Sequence, residues 1–144
     1  MDRNGVALLR RILLWMILFE SLLLASDKSL ATNIYLSIAK ELSQQSDPKF
    51  YLHGSIKYLH QNSEIGLSLT CEQADIIILN TLSRLPDNCK NKLIFTNNYK
   101  TYRNHEDIVG AFFWQKGRPN IVFRQKVLHK KNILLNASFR KYIE

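Results

Sequence analysis

A chain of 144 residues, 46% of them hydrophobic, is long enough to bury a core and too short for two lobes that close on a ligand. That composition excludes a disordered, collagenous or low-complexity protein. The formal charge is +8, and the stretch from Lys116 to Glu144 holds eight lysines and arginines against one acid, a basic end that suits nucleic acid, an anionic membrane face, an acidic partner or plain solvent.

In chain order, Arg3, Arg10 and Arg11 precede the apolar run Ile12–Phe19, and Ser21–Ala25 follows Glu20. A basic start, a short apolar stretch and then small residues form the pattern of a secretory signal peptide. The apolar stretch falls short of the ~20 residues of a membrane span. The expectation is a leader over residues 1–26, with cleavage between 25 and 31, followed by one domain over 27–144. An uncleaved anchor and a buried N-terminal helix are the alternatives.

Ala31, Ile34, Tyr35, Ile38, Ala39 and Leu42 recur at three- and four-residue spacing and predict a helix, which Ser43–Pro48 ends. Lys49–Gly54 reads as a strand, Ile56–His60 as a brief helix capped by Ser55, and Glu64–Thr70 as an alternating strand. Ala74–Leu79 is a continuous apolar run rich in isoleucine, as in a central parallel strand. The connection Asn80–Asn91 has room for a turn or one short helical turn. Lys92–Thr96 reads as a further strand and Asn97–Glu106 as a polar connection.

Val109–Trp114 and Ile121–Arg124 predict two strands of a hairpin joined by the turn Gln115–Asn120, where Lys116-Gly117 permits positive backbone angles. The first of these strands is bulky on both faces, which places it inside a covered sheet. Helices are expected at Gln125–Lys131 and Ala137–Ile143. Strands separated by helical segments predict an α/β fold: a single compact domain with a mixed, mostly parallel sheet flanked by helices and a C-terminal β-hairpin.

Candidate functional residues are few. In an exported protein, a disulfide between Cys71 and Cys89 would close a loop of about 18 residues and add ~3 kcal/mol. Free buried thiols are the alternative, and the spacing matches no zinc pattern. His53 ends a strand, where parallel sheets carry sites. His60, His105 and His129 lie in separate segments, and His105-Glu106-Asp107 is a polar triplet that could ligate a metal or serve as acid and base, although such triplets are usually solvated loops. No phosphate loop, nucleophile elbow or metalloprotease helix is present, so the expectation is a protein that is not an enzyme and takes no cofactor. Trp114, Lys116 and Arg118 suggest a partner-binding rim through cation–π and charge-assisted contacts, against the alternative of a merely soluble turn. Asn136-Ala137-Ser138 fits a glycosylation pattern.

In three places the chain resembles a shortened member of the YfiR family of small bacterial periplasmic proteins. Ala31–Leu42 followed by Phe50-Tyr51-Leu52-His53-Gly54 is similar to that family's opening helix and first strand. Cys71–Leu79 lies where the family has a strand near cysteine. Lys92–Thr96, Val109–Phe123 and the tail to Tyr142 are similar to its closing pattern. The aromatic-proline pair after the first helix and the Ile-Asn pair of the last hairpin are absent. The resemblance implies an exported, non-enzymatic regulator that contacts a protein partner in the inner or outer membrane, such as an inner-membrane diguanylate cyclase or another sensor. A periplasmic domain taking a small-molecule ligand near His53 and Arg118 is the alternative. A cytosolic nucleic-acid binder requires the leader to be something else, and no nucleic-acid partner is expected.

Overall fold

A computed structural model describes residues 28–59 and 65–144. The leader expected over residues 1–26, His60 and the first residue of the expected Glu64–Thr70 strand lie outside that range. The chain divides into two units, Met1–Ile34 and Tyr35–Glu144, and the sheet belongs entirely to the second.

The helix predicted from the apolar stripe is α1 (residues 28–43), and Tyr35, Ile38, Ala39 and Leu42 are buried along it. It stops where Gln44 enters the left-handed region at φ 57° and Pro48 bars continuation. Six strands follow: β1 (Lys49–His53), β2 (Gly66–Leu67), β3 (Ile76–Leu79), β4 (Ile94–Thr96), β5 (Gly110–Gln115) and β6 (Arg118–Phe123). They form one sheet in the order β2-β1-β3-β4-β5-β6. Every neighbouring pair is parallel except β5 and β6, which form the C-terminal hairpin. The α/β fold with a mostly parallel sheet flanked by helices is thus the observed one.

Burial on both faces explains the apolar runs. Ile77 and Leu79 face a cluster that includes Cys71, Cys89, Tyr102 and Ala111. Alternation sends Ile76 and Ile78 to the opposite face. There Phe95 lies 6.2 Å from Phe123, and Tyr35 of α1 meets Phe112 edge-on at 4.9 Å. The connection from β3 to β4 has, as expected, no covering helix, only a 3₁₀ turn at Asp87–Cys89. The disulfide Cys71–Cys89, with Cα atoms 5.7 Å apart, pins that loop over the face a helix would otherwise cover.

Backbone geometry alters several expected elements. Residues 57–59 form only a turn, because Tyr58 sits at φ 73°, outside any right-handed helix. The strand expected at Glu64–Thr70 pairs over Gly66–Leu67 alone, after which the Ser68 hydroxyl donates to Thr70 O (2.7 Å) and the chain turns. The strands expected at Ala74–Leu79 and Lys92–Thr96 are trimmed at their starts.

The polar connection Asn97–Glu106 contains a helix, α2 (Tyr99–Asn104). Asn98 caps it by accepting from the N–H groups of Lys100 and Thr101. The hairpin turn contracts from six residues to the pair Lys116-Gly117, at φ 50° and 72°, the combination that matches strand twist. β6 therefore begins at Arg118, and Pro119 is tolerated because β6 is an edge strand. After α3 (Gln125–Lys130) and α4 (Ala137–Arg140) the chain does not continue as helix to Ile143. It returns instead to the edge, with Ile143 bridging Phe123.

Candidate partner-binding site

β1, β3 and β4 all end at one level, because His53 pairs with Leu79, Leu79 with Thr96 and Thr96 with Ala111. β5 runs on past that level through Phe112–Gln115, an overhang of roughly 13 Å at strand rise. With β6 it makes a two-stranded arm beyond the C-terminal edge of the parallel strands. Its base is braced on both faces: Tyr35 packs on Phe112 and Tyr99 of α2 packs on Phe113 at 4.7 Å. Arg124, just after β6, adds a third anchor. Its guanidinium lies 4.2 Å from the Tyr102 ring centre and donates to Tyr102 O (2.6 Å), while Nε donates to Ile108 O (3.3 Å).

The tip is open. Trp114 is 39% exposed, and Lys116 and Arg118 are exposed. The ion pairs among the described residues are Lys90–Asp87, Lys126–Glu106 and Lys130–Asp107, so neither tip cation is neutralised. Cross-strand register sets the faces. Trp114 lies opposite Pro119 and shares a face with Phe112 and Ile121, whereas Arg118 lies opposite Gln115 and shares the other face with Phe113 and Asn120. The three residues singled out in the sequence therefore meet at one tip, but Trp114 and Arg118 point to opposite sides of it. They form no cation–π pair with each other.

Several of the other candidates make hydrogen bonds or ion pairs within the fold. His53 Nε2 donates to Ser83 O (2.8 Å) and latches the β3–β4 loop to the end of β1. Asn80, Thr96, Asn97 and Thr101 satisfy one another and the backbone along the same edge; Asn80 Nδ2 donates to Asn97 Oδ1 (3.0 Å), and Thr101 Oγ1 donates to Asn80 O (2.7 Å). His53 and Arg118 sit at the same end of the sheet, but the four inter-strand steps between them amount to roughly 19 Å. One small cleft does not join them.

Glu106 and Asp107 are spent on Lys126 and Lys130, and no group of three metal-ligating side chains occurs among the described residues. Asn136 caps α4, accepting from Ser138 N–H (3.0 Å) and donating to Glu41 Oε2 (2.8 Å), so its amide is engaged. The Cys71–Cys89 bond leaves no free cysteine among the described residues.

Three titrating groups among the described residues are displaced. Burial pushes the Tyr35 hydroxyl above its ordinary range. Burial, and then the nearby Glu144 carboxylate, push the Tyr102 hydroxyl above its ordinary range, and Arg124 acts in the opposite sense. Among the described residues, no hydrogen bond of good geometry reaches that hydroxyl. The hydrogen bond and charge of Lys90 hold exposed Asp87 below the usual carboxylate value. Tyr35 packs at the base of the arm, and none of the three lies at its tip.

The bracing contacts of Tyr35 and Tyr99 were not identified as part of the site from sequence. Asn98, a capping residue ahead of Tyr99, is the signal that could have revealed α2. No helix among the described residues is long and apolar enough to cross a membrane. Comparison of this chain with protein-family models, with curated proteins and with solved structures gives no match.

Proposed function

We propose that this chain is an exported, non-enzymatic regulatory module that grips a protein partner at a membrane through the β5–β6 arm. The observation that carries this reading is the arm itself: a braced overhang whose exposed tip presents Trp114 and Arg118, residue types enriched at binding hot spots, with the cation Lys116 beside them. A disulfide within a buried cluster supports an oxidising compartment. The YfiR resemblance supplies the class of partner, an inner-membrane diguanylate cyclase or a similar sensor. The module acts by binding one state of that sensor more tightly than the other and so shifting its population.

Two measurements test this. A reporter fused after residue 31 reads export directly, and cytosolic retention would defeat the proposal. Capture of membrane proteins on the purified domain should recover a sensor. Trp114→Ala should weaken that capture by about 2 kcal/mol, roughly thirtyfold. The same substitution should move Tm by only about 5 °C or less, because the ring is already substantially exposed. Equal capture by both proteins would remove the arm from the account.

A second reading has one observation in its favour. The parallel strands run in the order 2-1-3-4-5, which reverses direction between β1 and β3, the place where open α/β sheets take ligands. A small molecule there would raise Tm by mass action, and a thermal-shift screen of anions and amino acids decides it.

A further inference from the structure

The β5–β6 ladder alternates between hydrogen-bonded and non-bonded pairs, and both of its ends fix the phase. The Lys116-Gly117 turn closes it at Gln115 and Arg118, and at the other end the Arg124 N–H donates to Val109 O (2.8 Å). The pairs Trp114–Pro119, Phe112–Ile121 and Gly110–Phe123 are therefore the non-bonded ones. At Pro119, Ile121 and Phe123 the backbone polar groups of β6 point outward, away from the sheet.

At Phe123 the chain satisfies its own edge. The Phe123 N–H donates to Tyr142 O (2.8 Å), and its carbonyl accepts from the Glu144 N–H (2.9 Å). Further toward the tip the tail has left. The Ile121 N–H, the Ile121 carbonyl and the Pro119 carbonyl have no partner among the described residues. Beside this open stretch lies a groove of about 340 Å³ lined by Tyr99, Phe113, Ile121, Lys141 and Tyr142, with Glu144 the one acid on its wall.

We infer that the outer edge of β6 at Pro119–Ile121 receives an extended, acidic segment of the partner protein as an added strand. The inference rests on the partner-binding reading above and specifies its mode. Main-chain hydrogen bonds to Ile121 and Pro119 supply register, and side chains of the incoming segment alternate between faces. One set lies along Pro119 and Ile121 toward Trp114. The other lies along Arg118 and Asn120 and enters the groove between Phe113, Tyr99 and Tyr142. An added strand thus engages Trp114 and Arg118 together although they occupy opposite faces, which a ligand resting on one face does not.

Charge selects the occupant. Lys116, Arg118 and Lys141 surround the edge, and none of them is in an ion pair with another described residue. Two copies of this chain joined through β6 would set those cations against each other, whereas an acidic segment complements them.

The test is selection of a displayed library of random short peptides on the purified protein. Enriched sequences should alternate apolar with acidic residues. The best of them, as a synthetic peptide, should slow hydrogen exchange at the Ile121 amide by about tenfold or more, and Ile121→Pro should weaken it by about tenfold. Far-UV circular dichroism and Tm of I121P should stay near wild type, since proline deletes only an N–H that already points outward. Arg118→Glu should weaken the same peptide and reduce the salt dependence of its binding.

Enrichment no greater than on the I121P protein, enrichment of basic peptides, unchanged Ile121 exchange in the complex, or a β6-dependent dimer by sedimentation would each overturn the inference. If I121P captures the membrane partner at full strength while W114A does not, strand addition fails and the partner-binding reading stands. If both variants capture it fully, both fail.

Discussion

Replacing Gly110 with alanine is expected to destabilise the protein by about 3 kcal/mol, a large share of a typical domain's stability. An added Cβ would lie 2.4 Å from Val122 O, 2.8 Å from Phe95 Cε2 and 3.0 Å from Phe123 Cδ1. The two rings can shift a little. The carbonyl cannot, because Val122 is paired with Ala111 in the ladder and its displacement opens the hairpin at its base. Gly110 also pairs with Phe95 of β4, so β5 would be pushed away from both neighbours. Because the arm is an extension of this strand, Gly110→Ala should loosen the tip as well as lower stability. Urea denaturation reads the effect, and a loss below about 1 kcal/mol would show that β4, β5 and β6 do not pack as described.

Removing the disulfide should have a comparable effect by a different route. The bond closes a segment of sequence separation 18, for which chain entropy gives about 3 kcal/mol. Both cysteines are buried, and among the described residues the loop they fasten shares the cover over Ile77, Leu79 and Ile94 on that face with α2 and its neighbours. The double variant Cys71→Ser, Cys89→Ser should therefore lower Tm by on the order of 10 °C. It should also speed hydrogen exchange in β3 and β4 more than in the β5–β6 hairpin. Uniform acceleration across the sheet, or an unchanged Tm under reducing conditions, would contradict this role.

Much of the fold was legible because the strongest signals are burial patterns. The stripe at Tyr35, Ile38, Ala39 and Leu42, the run Ile76–Leu79 and the doubly apolar β5 each predicted both an element and its covering. What was not legible depended on partners distant in sequence. The six residues of α2 are too few for periodicity to announce, and only the Asn98 cap and a brace on Phe113 define them. The Glu64–Thr70 segment alternates as a strand should, but as the far edge of the sheet it has β1 alone to pair with, and the pairing lasts two residues.

At the candidate site, Trp114, Lys116 and Arg118 were identified by residue type and position in a turn. Their distribution over two faces could not be read until the turn was fixed at two residues, since a change in loop length reassigns every face beyond it. The open edge at Ile121 was invisible for a related reason. Whether a strand end is paired depends on where the chain goes after α4, and the tail returns only as far as Phe123.

The most direct test of the central claim places a photoreactive amino acid at Trp114 in the full chain and crosslinks in intact cells. A discrete adduct with one membrane protein is expected, formed in the compartment where Cys71 and Cys89 are oxidised and diminished by Arg118→Glu. Absence of any adduct from position 114, with adducts forming instead from exposed Leu69 beyond the opposite edge of the sheet, would contradict it.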